Sequence, residues 1–186
     1  GAIQIFGRAY NGGQATPEEY RLACRMKAAE QLCFGEQIGW FDVNTALDEG
    51  LVPFFRQVVS LRWKVRQYFY AGEMARPPKL AGDIPQVSAD WRWGGGRVIA
   101  AQAVRGGAWR MPSKQRAVLL LVNVAEEPVE VEVGFDAADY GLSGETIRVT
   151  PYDGTGAAGE PFECEKQARR AVTLPAKSAA AWELGE

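Results

Sequence analysis

The chain has 186 residues, 47% of them hydrophobic and 24% charged, with a formal net charge of −2. This is globular composition, with apolar material for one large core or two small ones. The near-neutral balance leaves no basic footprint and sets aside nucleic acid and anionic membrane surfaces as partners, and apolar runs such as residues 117–122 are far too short to span a bilayer.

Residues 3–6 are short, apolar and β-branched, and predict a buried strand ending at Gly7-Arg8. Asn11-Gly12-Gly13 signals a loop. Thr16-Pro17-Glu18-Glu19 predicts a helix start, with Thr16 as cap, Pro17 in the first turn and acids at the positive dipole end. Leu22, Met26, Ala29 and Cys33 mark the apolar stripe of that helix, which should run to about Leu32. A short extended stretch follows, with glycines bracketing Glu36 and Gln37. Residues 51–70 predict a second, longer helix, with Leu51, Phe54, Phe55, Val58, Leu61, Val65, Tyr68 and Phe69 on one side. Gly72 ends it, and Pro77-Pro78 forbids its continuation.

From Ile84 onward the period changes to two. Residues 98–109 alternate loosely, residues 117–124 form a dense apolar run, and residues 129–133 alternate strictly. Further strands are predicted near residues 146–152, 171–174 and 178–184. Turn signals separate them at Arg105-Gly106-Gly107, Glu126-Glu127-Pro128, Asp153-Gly154-Thr155-Gly156 and Pro175-Ala176-Lys177. The expected class is α+β: a helical, partly βα segment (residues 1–80) followed by an antiparallel β-sandwich (residues 81–186), divided at the proline-rich stretch 76–85. The first part holds too few strands and helices to close a barrel, so it leaves apolar surface that predicts self-association through residues 1–80.

The chain has no histidine, which removes every mechanism that needs imidazole. Cys24, Cys33 and Cys164 are far apart and form no C-x-x-C pair, so buried thiols are expected, with no metal site and no cofactor. Carboxylate, tyrosine, lysine and arginine chemistry remains. The opening residues carry no basic stretch of a secretory leader, and no compartment is assigned.

Four segments carry a family likeness: Phe34-Gly35-Glu36-Gln37-Ile38-Gly39-Trp40, Tyr70-Ala71-Gly72-Glu73-Met74-Ala75-Arg76-Pro77-Pro78, the stretch 121–129 and the stretch 174–184. With their order, they resemble the C-terminal end of (β/α)8-barrel glycoside hydrolases, nearest the α-galactosidase-like clan. The resemblance implies the last barrel units plus a C-terminal β-sandwich, a carbohydrate as partner, and a chain that is not catalytic alone. The earlier barrel units, which hold that family's two catalytic carboxylates, are missing here.

Within that reading, residues 32–36 form a barrel strand and place Glu36 at its C-terminal end, where such barrels hold their chemistry. Glu36 is the catalytic candidate; the alternative is a carboxylate paired with an arginine or capping a turn. Gln37 lies beside it, Trp40 offers a face for a pyranose ring, and Arg8 and Tyr10 face the same rim. Asp42 reads as a cap. Trp91 and Trp93 form either a stacking platform or packing. Residues 153–156 lack the lysine of a phosphate loop and the ligands of a calcium loop, and read as a turn. A non-catalytic carbohydrate-binding or dimerisation module is the alternative function.

Overall fold

The structure is a computed structural model that describes residues 16–38, 47–91 and 98–185. Helix α1 (Pro17–Cys33) begins at the predicted cap. The Glu19 backbone N–H donates to Thr16 Oγ1 at 3.3 Å, and the Thr16 N–H donates to the Glu19 carboxylate at 3.0 Å. This reciprocal pair satisfies two donors that a helix start leaves open. Met26, Ala29 and Cys33 are buried as the stripe requires, but so are Arg25, Lys27 and Gln31. The helix is therefore covered on more than its apolar face.

The second predicted helix is two helices, α2 (Val52–Lys64) and α3 (Arg66–Ala71). They part at Val65, whose φ of −98° and ψ of 12° interrupt the ladder. The apolar side continues across the break, since Leu51, Phe54, Val58, Leu61, Val65, Tyr68 and Phe69 are all buried. Gly72 ends α3, and a Cβ there would stand 2.4 Å from the Tyr68 carbonyl oxygen.

The strands are β1 (Glu73–Met74), β2 (Lys79–Ala81), β3 (Gln86–Asp90), β4 (Val98–Gln102), β5 (Val104–Met111), β6 (Arg116–Asn123), β7 (Val129–Asp136), β8 (Thr146–Tyr152), β9 (Phe162–Glu165), β10 (Gln167–Leu174) and β11 (Ser178–Gly185). They pair in the orders β1-β5-β6-β11-β8-β9, β10-β7-β2 and β3-β4. Among the described residues every strand pair is antiparallel. The proline-rich stretch therefore carries a strand of its own, because Pro77-Pro78 holds the backbone extended as it enters β2.

One turn expectation is overturned. Arg105, Gly106 and Gly107 lie inside β5, paired with Val122, Leu121 and Leu120. The reason is a close approach: a Cβ on Gly107 would stand 2.8 Å from Cys33 Cα at the end of α1. Glycine in a strand interior marks such an approach as readily as a turn.

The core is organised about β6. Val118, Leu120 and Val122 join α1, α2 and α3 in one cluster. Ala117, Leu119 and Leu121 join β7 and β10 in another. Alternation with period two sends successive side chains to opposite faces, and both faces are dry. A side chain from either set is fully enclosed, so Leu119→Ala and Leu120→Ala should each cost about 2–5 kcal/mol. Urea unfolding measures this; a loss under about 1 kcal/mol at either position contradicts a core on that face.

Candidate functional site

The residues around Glu36 are built by the end of α1. Phe34 is the C-cap, and Gly35 follows with φ +69°. The Glu36 N–H donates to the Gln31 carbonyl at 2.8 Å, and the Gly35 N–H to the Leu32 carbonyl at 3.1 Å. These two bonds are the Schellman closure of a helix, with glycine in the left-handed position. Residues 32–36 are thus a helix end and its cap, and the expected barrel strand is corrected. Gly35 was readable as the stop for the Leu22–Met26–Cys33 stripe, and that reading competes directly with a strand.

Side-chain donors hold the carbonyls left over at this helix end. Trp109 Nε1 donates to the Cys33 carbonyl at 3.0 Å. Arg62, from α2, donates Nε to the Glu36 carbonyl at 2.9 Å and Nη2 to the Gly35 carbonyl at 3.1 Å. Gln31 Nε2 donates to the Gln37 carbonyl at 3.1 Å. The Arg62 guanidinium also lies 5.1 Å from the Phe69 ring centre. None of these donors was singled out in the sequence; each acts on backbone 6 to 76 residues away, which no local motif encodes.

Glu36 itself is 6% exposed, whereas its neighbour Gln37 is exposed. The arginine Arg62 meets the Glu36 main-chain carbonyl. Arg8, Tyr10, Trp40, Asp42 and Trp93 lie outside the described residues. Trp91 is 8% exposed, and its carbonyl accepts from the buried Lys27 Nζ at 2.9 Å, so Trp91 packs rather than forming a platform. Asp153 closes a turn, its Oδ1 accepting from the Thr155 N–H at 2.8 Å and the Ala157 N–H at 3.1 Å.

A second polar group lies where α3 meets the six-stranded sheet. Glu183 accepts from the Tyr68 hydroxyl at 2.5 Å and from the Tyr152 hydroxyl at 2.8 Å, with Arg116 at 3.8 Å. Burial, and then the bond to Glu183, pushes the Tyr152 hydroxyl up to about 12 and raises Tyr68 by the same causes. Both phenols therefore stay protonated donors, and the group works as a lock between α3 and the strands β8 and β11.

The comparisons with known proteins add the following. No family model matches the chain, and no curated protein matches it. Solved structures similar to it include a β-L-arabinopyranosidase of glycoside hydrolase family 27 from Geobacillus stearothermophilus, at 15% identity and a TM-score of 0.45, covering 99% of this chain and 36% of that one. A family 30 subfamily 8 xylanase from Clostridium acetobutylicum is 14% identical with a TM-score of 0.41, covering 100% of this chain and 46% of that one. A family 30 endoxylanase from Clostridium papyrosolvens C71 is 20% identical with a TM-score of 0.36, over 49% of this chain and 23% of that one. The chain spans less than half the length of each of these structures.

Two outcomes follow from the geometry. Gly35→Ala places a Cβ 2.6 Å from Trp109 Cζ2 and 2.9 Å from Phe69 Cδ1 at a left-handed φ, whereas Gly141, with φ +77°, has nothing within 4 Å. Gly35→Ala should lose about 2–4 kcal/mol and Gly141→Ala about 1 kcal/mol, as read from denaturant midpoints; equal losses would exclude a packing component at Gly35. The raised tyrosines set an alkaline limit. The unfolded chain ionises them near pH 10, the folded chain only above that, so their contribution is full below about pH 10 and falls as pH rises toward 12. Buried Cys24 and Cys33, pushed up to about 11 and about 12, act with the same sign. The tyrosine share is the difference between the chain and Tyr152→Phe, whose stability should decline less steeply between about pH 10 and 12; identical slopes would remove Tyr152 from the lock.

Proposed function

We propose that this chain is the C-terminal part of a glycoside hydrolase-like protein acting on carbohydrates, and that it is not catalytic alone. Residues 1–80 are read as closing βα units of a barrel and residues 81–186 as its C-terminal β-sandwich. The observation that carries this is the element order among the described residues: a helix ending at the Gly-Glu-Gln-x-Gly-Trp motif, a longer helical pair ending at Gly72, the Pro77-Pro78 entry, and then antiparallel strands interrupted by two short 3-10 turns. It agrees with the helix, longer helix, Pro-Pro entry and strand-rich second part of the order that the sequence likeness implies, while the short strand expected at the motif is the end of α1.

Glycoside hydrolysis uses two carboxylates flanking the scissile bond, roughly 5–10 Å apart. Glu36 is the rim carboxylate proposed here, with Arg8, Tyr10, Gln37 and Trp40 as sugar contacts. It is held close to a fixed position, because its own backbone and that of Gly35 are fastened to Arg62. The family's two catalytic carboxylates are assigned to the barrel units upstream, and Glu36 is proposed to act beside them on the rim, as acid, base or acceptor for a sugar hydroxyl. A structural self-associating module is the second reading, and the exposed Val59 and Trp63, one turn apart on α2, favour it.

The test is to extend the reading frame upstream and assay both chains on a panel of aryl glycosides. The longer chain should contain further strand–helix units and hydrolyse a glycoside, while the 186-residue chain does not. Glu36→Gln in the longer chain should lower kcat/KM by about 10²–10⁴. Turnover by the short chain alone overturns the non-catalytic assignment, and an unchanged rate in Glu36→Gln removes Glu36 from the chemistry.

A further inference from the structure

Beside the helix end lies a cavity of about 300 Å³, between the last turn of α1, strand β5 and the Pro77-Pro78 entry. Its working lining is Glu30, Phe34, Pro78, Gln102, Arg105 and Gly106. We infer that it binds one neutral sugar ring, with Phe34 against the ring's C–H face and Glu30, Gln102 and Arg105 on its hydroxyls. The inference deepens the carbohydrate reading above and rests on it for the class of ligand.

Size comes first. The volume stands at the lower end of the roughly 300–1,000 Å³ of small-molecule clefts, which suits a single ring and not an extended chain. Charge comes next. Arg105 Nη2 is paired with Glu30 Oε1, and their side chains are 31% and 15% exposed. The pair cancels its own charge, so the lining favours a neutral polar ligand. A carboxylate acceptor, a guanidinium fork and an amide side by side suit hydroxyls, which both donate and accept.

Phe34 supplies the apolar half. It is 45% exposed at the rim, although the helix stop is made by Gly35 and does not require an aromatic residue before it. The walls do not have to be ordered on binding. The Schellman closure fixes α1, Trp109 ties the Cys33 carbonyl to β5, and β5 pairs along its whole length with β6. Gly106 leaves the floor without a side chain; a Cβ there would touch Pro78 and Leu80 at 3.4 Å. A wider groove of about 640 Å³ on the outer face of β7 lacks this combination, since its aromatics Phe135 and Tyr140 are buried.

The test is an amide-shift titration of the full chain with methyl β-D-xylopyranoside, methyl α-D-galactopyranoside and methyl β-D-glucopyranoside. At least one should give a saturable shift at Phe34, Arg105 and Gly106 at millimolar concentration. Phe34→Ala and Gln102→Ala replace exposed side chains and should leave the fold intact. Phe34→Ala should weaken binding about tenfold, and Gln102→Ala should weaken it measurably. Trp63→Ala, at an aromatic 68% exposed elsewhere on α2, should change nothing. No shift up to roughly 50 mM, or equal binding by Phe34→Ala, overturns the inference. Hydrolysis by the extended chain without a shift here sinks this site alone. A saturable, Phe34-dependent shift without hydrolysis supports the site and sinks the hydrolase reading instead.

Discussion

The two-sided burial of β6 is the constraint on which the other elements depend. Residues 117–122 are all 0% exposed, so neither face of this strand tolerates water. The even-numbered residues demand a helical cover and the odd-numbered ones a second sheet. A slip of one residue would exchange the two sets. Register is held against this by β5 and β11, each paired with β6 over eight residues. The helices and the strands are consequently parts of one packing problem.

That packing also explains the two glycines near the candidate site. Gly107 lets β5 touch Cys33, and Gly35 turns the chain away beneath Trp109 and Phe69. Trp109 then reaches the Cys33 carbonyl, and the edge-on contact of Phe69 with Trp109, at 5.2 Å, fills the remaining space. The chemistry proposed for Glu36 and for the Phe34 cavity thus sits on backbone held by the core and not on a free loop.

Much of this was legible in the residues. Thr16-Pro17-Glu18-Glu19 specified the start of α1 because capping is local chemistry. The strict alternation of β7 and the dense run of β6 separated a one-face strand from a two-face strand. The failures share a cause. Gly106 and Gly107 read as a turn because what they pack against is distant in sequence: Cys33, more than seventy residues away, for Gly107, and Pro78 and Leu80 for Gly106. Gly35 is a visible stop signal, yet residues 32–36 predict a strand, since a stop glycine and a strand-end glycine look alike without the bonds to Gln31 and Leu32. Strand β9 escapes the sequence reading because Phe162-Glu163-Cys164-Glu165, although it alternates, is only four residues long and half-buried at best. The break at Val65 has no sequence signal that we can identify.

The buried polar residues of α1 have a consequence of a different kind. Arg25 donates to the Val124 carbonyl at 3.0 Å, Lys27 to the Trp91 carbonyl at 2.9 Å, and Gln31 to the Gln37 carbonyl at 3.1 Å. These three acceptors belong to three separate connecting segments. Apolar contacts alone would let a cylinder of alanines and leucines settle at several rotations of similar energy. Three prongs aimed at three fixed sockets admit one rotation and one height, because any other strands a buried charge or amide. The helix is keyed, and each of the three segments inherits its position from the key.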